Sequence, residues 1–477
     1  MTTTPPTRPL CVDLDGTLLA TDTLWESFAA AIRRRPLSTP FACLGALRHG
    51  RAALKRMLAA RGPLRTELLP RRDEVVDFLR AEKAAGRTII LATAADASIA
   101  RAVASEVGVF DDVIASDGAT NLKGSRKLEA IRARVGDGGF DYIGDGAADE
   151  PIWSASTTAY RVGRPRAGDA TRFARVFPTP ARGTALLRAI RPHQWVKNIL
   201  VFVPLLLAHE WRDADRVFAG LLGFLAVSLC ASSVYVVNDL ADLEPDRLHA
   251  TKRRRPFASG AASIPAGLFV AGLALSAGLL LAWTVSAPFL AVLALYLVLT
   301  TAYTFDIKRR LLLDVVTLAA LYTIRVIAGG VATSVDVSPW LLAFSMFVFF
   351  SLALAKRYTE LSGLDAASAP TVSGRGYRTD DLQTVSQMGV GSGLLAVLVL
   401  SLYVSEADTA AALYPSRDLL WLLCPLMLYW ICRLWFITRR GEMHDDPIVF
   451  ALRDPVSYAT AVLAVVVVMA SASSLVG

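Results

Sequence analysis

Two groups of acidic residues have a spacing that suits the binding of a metal ion. In the stretch VDLDGTLL, Asp13 and Asp15 follow a short apolar run and precede Gly16. Carboxylates two residues apart on an extended chain point to the same side, and they repel each other unless they share a cation. Hard cations such as Mg²⁺ prefer carboxylate oxygens. The pair therefore predicts a magnesium site at the end of a buried strand.

The second group lies in YVVNDLADLEPDRLHATKRRRPFASG, directly after a long apolar run. On a helix Asp239, Asp242 and Asp246 fall within about 60° of arc, and Asn238 widens this face to about 100°. Pro245 would disturb a helix here, so we expect Asp246 just beyond the helix end. Acids inside a membrane usually face a cavity and carry function. We predict a second metal site, against the alternative of interfacial carboxylates that only pair with nearby cations.

The first half of the chain alternates short apolar runs with amphipathic segments. Strand-like runs occur at PLCVDLDGT, TIILATA, DDVIASD, FDYIGDG and AYRVG, and most end in small or acidic residues. This alternation is typical of a parallel α/β sheet, which binds ligands at its carboxyl edge. We predict a Rossmann-like α/β domain over residues 1–175, with a small helical cap at about 24–87, followed by a linker at 176–188.

The second half of the chain is strongly apolar. Hydrophobic residues make up 54% of the sequence and charged residues 19%, and the shortage of charge falls almost wholly after Asn198. We count nine apolar segments, most of which reach the roughly 20 residues that a spanning helix requires, while the first, at about 196–209, is short. The pattern predicts an all-α membrane domain of nine transmembrane helices over residues 189–477.

The loops between these segments alternate in charge. The second, fourth, sixth and eighth loops are basic, whereas the others hold only Arg212, Arg216 and Arg417. By the positive-inside rule, the basic loops, the N-terminal domain and both acidic sites lie in the cytoplasm, and the C-terminus lies outside. We predict a multi-pass protein of the inner (plasma) membrane, with no apolar core for a secretory signal in MTTTPPTRPL. The net charge of +8 suits this topology better than nucleic-acid binding, so membrane lipids are the expected surroundings, and assembly into a homo-oligomer is left open.

Further motifs follow the first acidic pair along the chain. LATAAD ends a strand at Thr93, KGSRKLEAI offers Lys123 and Lys127, and YIGDGAADE supplies Asp145 and Asp149. In this order the motifs resemble the four motifs of the haloacid dehalogenase superfamily of phosphatases. The resemblance covers most of the first domain.

The resemblance implies a role for each motif residue. Asp13 would attack phosphorus to form an aspartyl phosphate, and Asp15 would protonate the leaving oxygen and then activate water. Thr93 and a lysine would hold the phosphoryl oxygens. We prefer Lys127 to Lys123, because Lys127 opens the helix that precedes the last motif.

The same resemblance implies a Mg²⁺ ion held by Asp13, Asp15 and Asp145. Asp149 either assists the metal or caps a helix. The alternative is a degenerate, inactive domain, although every motif residue is present.

The sequence NDxxDxxxD, followed by TKRRRPFASG, resembles the first aspartate motif of the UbiA superfamily of intramembrane transferases. The resemblance extends from about residue 189 to the C-terminus and includes the count of nine helices. It implies that Mg²⁺ bridges Asn238, Asp239, Asp242 and Asp246 to the diphosphate of a substrate, with Asp239 and Asp242 essential for catalysis. A metal is needed there because carboxylates cannot bind a diphosphate directly.

Other motifs of the membrane half indicate which branch of this superfamily the chain resembles. A second aspartate motif, typical of aromatic prenyltransferases, is not found in convincing form in the sixth loop, which begins ALAKRYTELSG. Together with RPHQWVKNILVF and TIRVIAGGVA, this loop resembles the branch typified by decaprenyl-phosphate phosphoribosyltransferase. There the donor is phosphoribosyl diphosphate (PRPP) and the acceptor is a polyprenyl phosphate. The additional phosphates call for cations, and the predicted phosphate ligands are Lys197, Asn198, Arg325, Lys356 and Arg357, although a cation at a helix end is often only an orientation signal.

These expectations combine into one function. The membrane domain would transfer 5-phosphoribose from PRPP to a polyprenyl phosphate, and the phosphatase domain would remove the 5-phosphate to leave polyprenyl-phosphoryl ribose. One alternative is an aromatic prenyltransferase that uses a prenyl diphosphate, fused to a phosphatase of unrelated substrate. Another is a transporter or scaffold. In the last cytoplasmic loop, Asp445 and Asp446 either bind metal or belong to a solvated acidic loop.

Overall fold

The computed structural model describes residues 8–179, 182–363, 376–406, 414–443, 446–451 and 453–472. The chain forms two compact units. Unit 1 consists of Met1–Arg191 and Tyr235–Gly272, and unit 2 of Pro192–Val234 and Leu273–Gly477. The segment that carries the second acidic group therefore belongs to the same unit as the N-terminal domain, although the sequence analysis assigned it to the membrane domain.

Unit 1 contains a parallel sheet of six strands in the order β3-β2-β1-β4-β5-β6. The strands are β1 (Leu10–Val12), β2 (Ile89–Asp96), β3 (Asp112–Ser116), β4 (Asp141–Gly144), β5 (Ala159–Val162) and β6 (Arg175–Phe177). The five predicted strands and the parallel α/β class are confirmed. The sequence analysis missed β6, because it lies where the Pro-, Gly- and Arg-rich segment had suggested the start of a linker.

The N-terminal domain contains nine helices among its described residues. They are α1 (Thr23–Arg34), α2 (Ser38–Leu47), α3 (Arg51–Arg61), α4 (Asp73–Ala84), α5 (Ala97–Val107), α6 (Ser125–Val135), α7 (Glu150–Ala155), α8 (Asp169–Arg172) and α9 (Arg182–Ala189). Of these, α4 and α5 pack on one face of the sheet and α6 and α7 on the other. Helices α1 to α3 lie between β1 and α4 in the chain, within the predicted cap. Helix α9 lies at the end of the predicted linker, where the abundance of Pro, Gly and Arg had suggested a loose segment.

The central strand β1 is completely buried and has a side-chain period of two. Leu10 and Val12 join one hydrophobic cluster with residues of the neighbouring strands. Cys11 joins a separate cluster that includes Tyr142. Because successive side chains alternate between these clusters, helices are needed on both faces.

Eight helical segments among the described residues are long and apolar enough to cross a membrane. They are Ala214–Ala241, Ile264–Val285, Ala287–Phe305, Leu313–Thr333, Pro339–Ser362, Thr379–Ser405, Arg417–Arg439 and Pro455–Ala472. The first predicted span forms an 11-residue 3₁₀ segment, Pro192–Phe202, and a five-residue helix. Buried polar side chains such as Lys197 and Asn198 interrupt its apolar face. The count of nine transmembrane helices stays a prediction.

The remaining helices are numbered along the chain. They are α10 (Val203–Leu207), α11 (Ala214–Ala241), α12 (Leu243–Leu248), α13 (Ile264–Val285), α14 (Ala287–Phe305), α15 (Leu313–Thr333), α16 (Pro339–Ser362), α17 (Leu382–Ser405), α18 (Leu423–Arg439), α19 (Pro447–Ala451) and α20 (Pro455–Ala472). Further 3₁₀ turns are Thr66–Leu68, Gly136–Gly138, Ala147–Asp149, Lys252–Arg254, Ile307–Arg309, Thr379–Asp381 and Arg417–Leu422.

Candidate functional sites

The first site lies at the carboxyl edge of the sheet. Asp13 follows β1 and Asp145 follows β4, and these two strands are hydrogen-bonded neighbours. The chain turns between them at Gly16, whose φ is 79°. A Cβ atom at this glycine would lie 2.4 Å from Oδ2 of Asp145, so only glycine combines this backbone conformation with the close approach. The sheet thereby brings together the two aspartates that the sequence analysis had predicted to share a metal.

A buried lysine connects the acids of this site. The ammonium group of Lys127 donates to Asp13 Oδ1 at 2.9 Å, to Asp149 Oδ1 at 3.1 Å and to the Tyr142 hydroxyl oxygen at 2.9 Å. Its side chain is 4% exposed, whereas Lys123 is exposed. The structure therefore places Lys127, the preferred candidate, against the predicted nucleophile. Tyr142 was missed by the sequence analysis, because a tyrosine inside an apolar strand carries no distinctive signal.

Three carboxylates form a group that fits a divalent cation. Asp13, Asp145 and Asp149 each offer one oxygen, and these oxygens lie within 4.8 Å of one another. Asp149 is also fixed by the backbone N–H groups of Asp145 and Gly146, which donate to its Oδ2 at 3.1 and 3.2 Å. An all-oxygen donor set of this size suits Mg²⁺.

Asp15 lies outside that group, although the sequence analysis had counted it as a ligand. Its two side-chain oxygens accept hydrogen bonds from the backbone N–H and hydroxyl of Thr23, at 2.8 and 3.2 Å. Thr23 is the first residue of α1, so the helix N-terminus holds this carboxyl group.

The two motif aspartates differ in acidity. Burial raises the pKa of Asp13 to about 6, against the opposing charge of Lys127. Burial, followed by the charge of Asp22, raises the pKa of Asp15 to about 8, against the hydrogen bond from Thr23. At neutral pH one carboxyl group is therefore ionised while the other keeps its proton, which is the arrangement that a nucleophile and a general acid require.

The cap adds a cation that the sequence analysis missed. The Lys55 ammonium group, on α3, donates to the backbone oxygen of Ala94 at 2.5 Å and to Asn121 Oδ1 at 2.9 Å. Burial lowers the pKa of Lys55, against the opposing charges of Asp15 and other carboxylates. Thr93, the residue before Ala94, is fully buried. Its hydroxyl oxygen accepts a hydrogen bond from the Ala95 N–H at 3.0 Å. The cap sequence carries no motif that could have indicated Lys55.

The second acidic group, also in unit 1, combines carboxylates with arginines. Asp239 Oδ1 accepts from Arg191 at 2.5 Å and from Arg255 at 3.1 Å, and Arg255 also donates to Asp246 Oδ2 at 2.7 Å. Asp239 is 2% exposed, and within the described part of the chain its Oδ2 has no hydrogen-bond partner. A buried carboxylate oxygen without a donor is costly, and a cation would relieve that cost. The unpartnered oxygen therefore leaves one ligand position for a metal ion, while Arg191 and Arg255 occupy the other oxygen. Among the described residues, the carboxylates whose oxygens converge within 4.8 Å are those of the first site.

The backbone of this segment differs from the prediction. Helix α11 ends at Ala241, and Asp242 separates it from the short helix α12, which contains Asp246. Pro245 lies in the first turn of α12, where its missing N–H costs no helical hydrogen bond. Asp246 was expected beyond a helix end, but it lies inside a new helix that begins one turn earlier. Asn238 and Asp242 are half-buried.

Unit 2 contains a cluster of cations around one carboxylate. Lys197 and Lys356 contact Oδ2 of Asp446 at 2.9 and 2.8 Å. Burial alone would raise the pKa of Asp446, but the two ammonium groups outweigh it and hold the pKa well below its usual value. Asp446, whose side chain is 12% exposed, is thus an ion-paired residue of unit 2 rather than part of a solvated acidic loop. Its neighbour Asp445 lies outside the described residues.

Two further predicted ligands join this cluster. Arg325 donates to Asn198 Oδ1 at 2.8 Å and to the Tyr296 hydroxyl oxygen at 3.0 Å. The Tyr322 ring lies 5.4 Å from the Arg325 guanidinium and 6.0 Å from the Lys197 ammonium group, so it links the two cations. Four of the five predicted phosphate ligands in the membrane half therefore converge.

The fifth predicted ligand, Arg357, lies elsewhere. Its side chain is fully buried, and it pairs with Asp314 at 2.8 Å and with Glu360. Tyr377 donates to the same aspartate at 2.6 Å. These contacts make Arg357 part of the packing between α15 and α16 rather than of the cation cluster.

Comparisons with known proteins assign a family to each half of the chain. Residues 199–453 match the UbiA prenyltransferase family, and residues 10–153 match the haloacid dehalogenase-like hydrolases. The chain is 38% identical to the uncharacterized protein y4nM of Sinorhizobium fredii, over 94% of this chain and 88% of that protein. It is 37% identical to nodulation protein NoeC of Azorhizobium caulinodans, over 56% and 86%. It is 32% identical to decaprenyl-phosphate phosphoribosyltransferase of Mycolicibacterium smegmatis, over 57% and 87%.

The family matches, the eight apolar helices and the parallel sheet describe one kind of protein. It is a multi-pass membrane protein in which a transferase fold and a hydrolase fold share one chain. The chain belongs to the UbiA prenyltransferase family and carries a haloacid dehalogenase-like hydrolase domain at its N-terminal end.

Proposed function

We propose that this protein is a bifunctional membrane enzyme. It transfers 5-phosphoribose from PRPP to a polyprenyl phosphate, and its N-terminal domain then removes the 5-phosphate to give polyprenyl-phosphoryl ribose. The proposal is supported by the relative from M. smegmatis that is named decaprenyl-phosphate phosphoribosyltransferase, 87% of whose length this chain covers.

The observation that carries the proposal is the cation cluster of unit 2. Lys197, Lys356 and Arg325 supply three positive charges that are buried or half-buried in an apolar bundle, and Asp446 offsets one of them. An aromatic acceptor carries no phosphate that would use them, whereas a lipid phosphate and the 5-phosphate of PRPP do. We assign these cations and Asn198 to phosphate oxygens. We leave out Arg357, because its fully buried side chain packs between α15 and α16, outside this cluster.

The carboxylates of Asp239, Asp242 and Asp246, with Asn238, are assigned to the diphosphate of PRPP through Mg²⁺. The unpartnered Oδ2 of Asp239 supports this assignment. A bound magnesium ion would offset the charge of the leaving diphosphate. The ribosyl donor, like a prenyl diphosphate, loses diphosphate through a cationic transition state, so this part of the family's site can serve both donors.

The phosphatase step uses residues of the first site. The Asp13 carboxylate forms a bond to phosphorus while the bond from phosphorus to the ribose oxygen breaks, and Asp15 gives its proton to that oxygen. Water then attacks the aspartyl phosphate, and Asp15 takes up a proton from the water. Lys127 and Thr93 hold the phosphoryl oxygens. Asp145 and Asp149, with Asp13, would hold Mg²⁺, which offsets the charge of the phosphoryl group.

We place the protein in the inner (plasma) membrane, with both sites in the cytoplasm. The charge of the loops supports this orientation. Protease added to inside-out vesicles should cleave unit 1, whereas protease added to right-side-out vesicles should spare it.

The decisive test supplies membranes containing the full chain with ribose-labelled PRPP and decaprenyl phosphate. The intact protein should form labelled lipid without the 5-phosphate. Asp13→Asn should accumulate the phosphorylated lipid, and Asp239→Asn should form no labelled lipid. Asp77→Asn, at an exposed position of α4, is the matched control and should behave as the intact protein does. Turnover of a prenyl diphosphate with an aromatic acceptor, and none of PRPP, would refute the proposal.

A further inference from the structure

Helix α1 contacts both acidic sites of unit 1. Its first residue, Thr23, holds the carboxyl group of Asp15. One turn later, Glu26 accepts two hydrogen bonds from Arg247, at 2.6 and 3.1 Å. Arg247 is the residue after Asp246 of the second acidic group. Because three residues of helix rise only about 4.5 Å, the connection between the two sites is short.

The ion pair between Glu26 and Arg247 is buried. The two side chains are 2% and 8% exposed, so water and salt screen their attraction little. Both groups have further partners: Thr21 donates to Glu26 at 2.7 Å, and Arg247 donates to the backbone oxygen of Ala258 at 3.0 Å. A bidentate arginine–carboxylate pair with its remaining atoms satisfied fixes orientation as well as distance.

Close packing accompanies this pair. Ala29, on the next turn of α1, lies in a hydrophobic cluster with Leu240 and Phe257 of the aspartate-bearing segment. A Cβ atom at Gly260 would lie 2.7 Å from the Cβ and 2.9 Å from the backbone oxygen of Ala20. Backbone atoms that approach this closely leave no room for water, so the contact is a packed interface.

Weaker pairs lie on the same side of α1. Glu244 contacts both Arg33 and Arg65 at 3.4 Å, but these side chains are 32% to 49% exposed. Exposed pairs of this kind add little. Loss of the buried pair should therefore weaken the contact between α1 and the aspartate-bearing segment more than loss of these exposed pairs.

We infer that the pair Glu26–Arg247 docks the phosphatase cap on the aspartate-bearing segment, so that one chain passes its phosphoribosyl lipid to its own phosphatase site without releasing it. This inference rests on the proposed function and adds to it the route of the intermediate. The partner recognised by the cap is thus the transferase segment of the same chain, and the substrate class is a lipid-linked phosphomonoester.

The first test needs no change at the interface. Asp13→Asn makes the phosphorylated lipid but cannot hydrolyse it, and Asp239→Asn can hydrolyse but cannot make it. The two full-length variants are mixed in proteoliposomes and compared with the same total amount of intact protein. A linked site offers an effective concentration of about 1 mM, so the mixture should accumulate about tenfold or more phosphorylated lipid than the intact protein does. Equal accumulation would overturn the inference.

The second test removes the docking pair. Arg247→Gln should accumulate the phosphorylated lipid about tenfold, because the intermediate then leaves the chain before it is hydrolysed. Hydrolysis of p-nitrophenyl phosphate, which arrives from solution, should stay within about twofold, since the side-chain hydrogen bonds of Arg247 go to Glu26 and Ala258, which are not residues of the first site. Arg80→Gln, at an exposed position of α4, is the matched control. If Arg247→Gln does not fold, the double variant Glu26→Arg with Arg247→Glu should restore the ion pair. It should then pass the phosphorylated lipid to its own phosphatase site as the intact protein does.

The two proposals fail in different ways. If no variant ever forms a phosphorylated lipid, the proposed function is wrong. If Asp13→Asn accumulates that lipid but Arg247→Gln hydrolyses it as fast as the intact protein does, the function stands and the inference is wrong.

Discussion

Replacing Lys127 with methionine should greatly lower phosphatase activity and destabilise unit 1. The ammonium group donates to Asp13, Asp149 and Tyr142, and its side chain is 4% exposed. Methionine fills a similar volume but carries no charge, so both carboxylates would lose their buried partner. The variant therefore tests whether the charge of this lysine offsets the repulsion between the carboxylate nucleophile and the phosphoryl group.

The magnitude follows from the geometry. Oxygens of Asp13 and Asp149 lie within 4.8 Å of each other. Two unit charges at that distance repel by about 3.5 kcal/mol at an effective dielectric constant of about 20. Breaking a buried ion pair by removing one partner typically costs about 3–5 kcal/mol, which agrees. Protonation would relieve part of this cost, so the pKa of Asp13 should rise above its value of about 6, and fewer molecules would hold the ionised nucleophile at neutral pH.

We expect the hydrolysis rate to fall by about 100- to 1000-fold, as when one preorganised donor is removed from a charged transition state. The assay is hydrolysis of p-nitrophenyl phosphate by the full chain, together with proteolysis of unit 1 in rising urea. Lys123→Met changes the same residue type at an exposed position nearby, and it should leave both measurements unaltered. Wild-type hydrolysis and an unchanged urea midpoint in Lys127→Met would refute this reasoning.

Two further predictions concern titration and the cation cluster. Phosphatase activity should follow a bell-shaped pH profile. It should rise as Asp13 ionises near pH 6 and fall as Asp15 loses its proton near pH 8. A rate independent of pH between about 5 and 9 would contradict the roles of these two groups. Lys356→Met should lower ribosyl transfer by about tenfold or more with little loss of stability, whereas Arg357→Met should destabilise the protein by about 3–5 kcal/mol because it strands Asp314. Initial rates and thermal unfolding midpoints of the two variants, measured side by side, separate these outcomes, and the opposite pattern would show that Arg357 is the phosphate ligand.

Local patterns predicted much of the first site. The residues Asp13, Asp145 and Lys127 could be selected because each stands at the end of a strand or the start of a helix, and a parallel sheet gathers such positions at one edge. Lys55 and Tyr142 could not be selected in this way. Their positions depend on how the cap packs and on which face of a strand points inward, and neither follows from the spacing of motifs.

The membrane half shows the same limit. Lys356 and Arg357 are neighbours in sequence, but adjacent helical residues point about 100° apart. One therefore reaches Asp446 and the other Asp314. Composition predicted the apolar helices well, because length and hydropathy are local properties. It could not predict that residues 235–272 pack with the N-terminal domain, since long-range pairs such as Glu26 with Arg247 leave no local trace.

The carboxylate shared by Lys197 and Lys356 competes with any anion that binds these two ammonium groups. Asp446 already occupies both ammonium groups at 2.9 and 2.8 Å, so any anion that binds them must exchange with a resident counter-ion. The affinity of the cluster is then the difference between two charge-assisted interactions. A dianionic phosphate can displace the carboxylate, because its two charges interact more strongly with the ammonium groups. A monoanion gains almost no binding free energy over the carboxylate that it displaces. The cluster would thus discriminate by the charge of the ligand before its shape is tested.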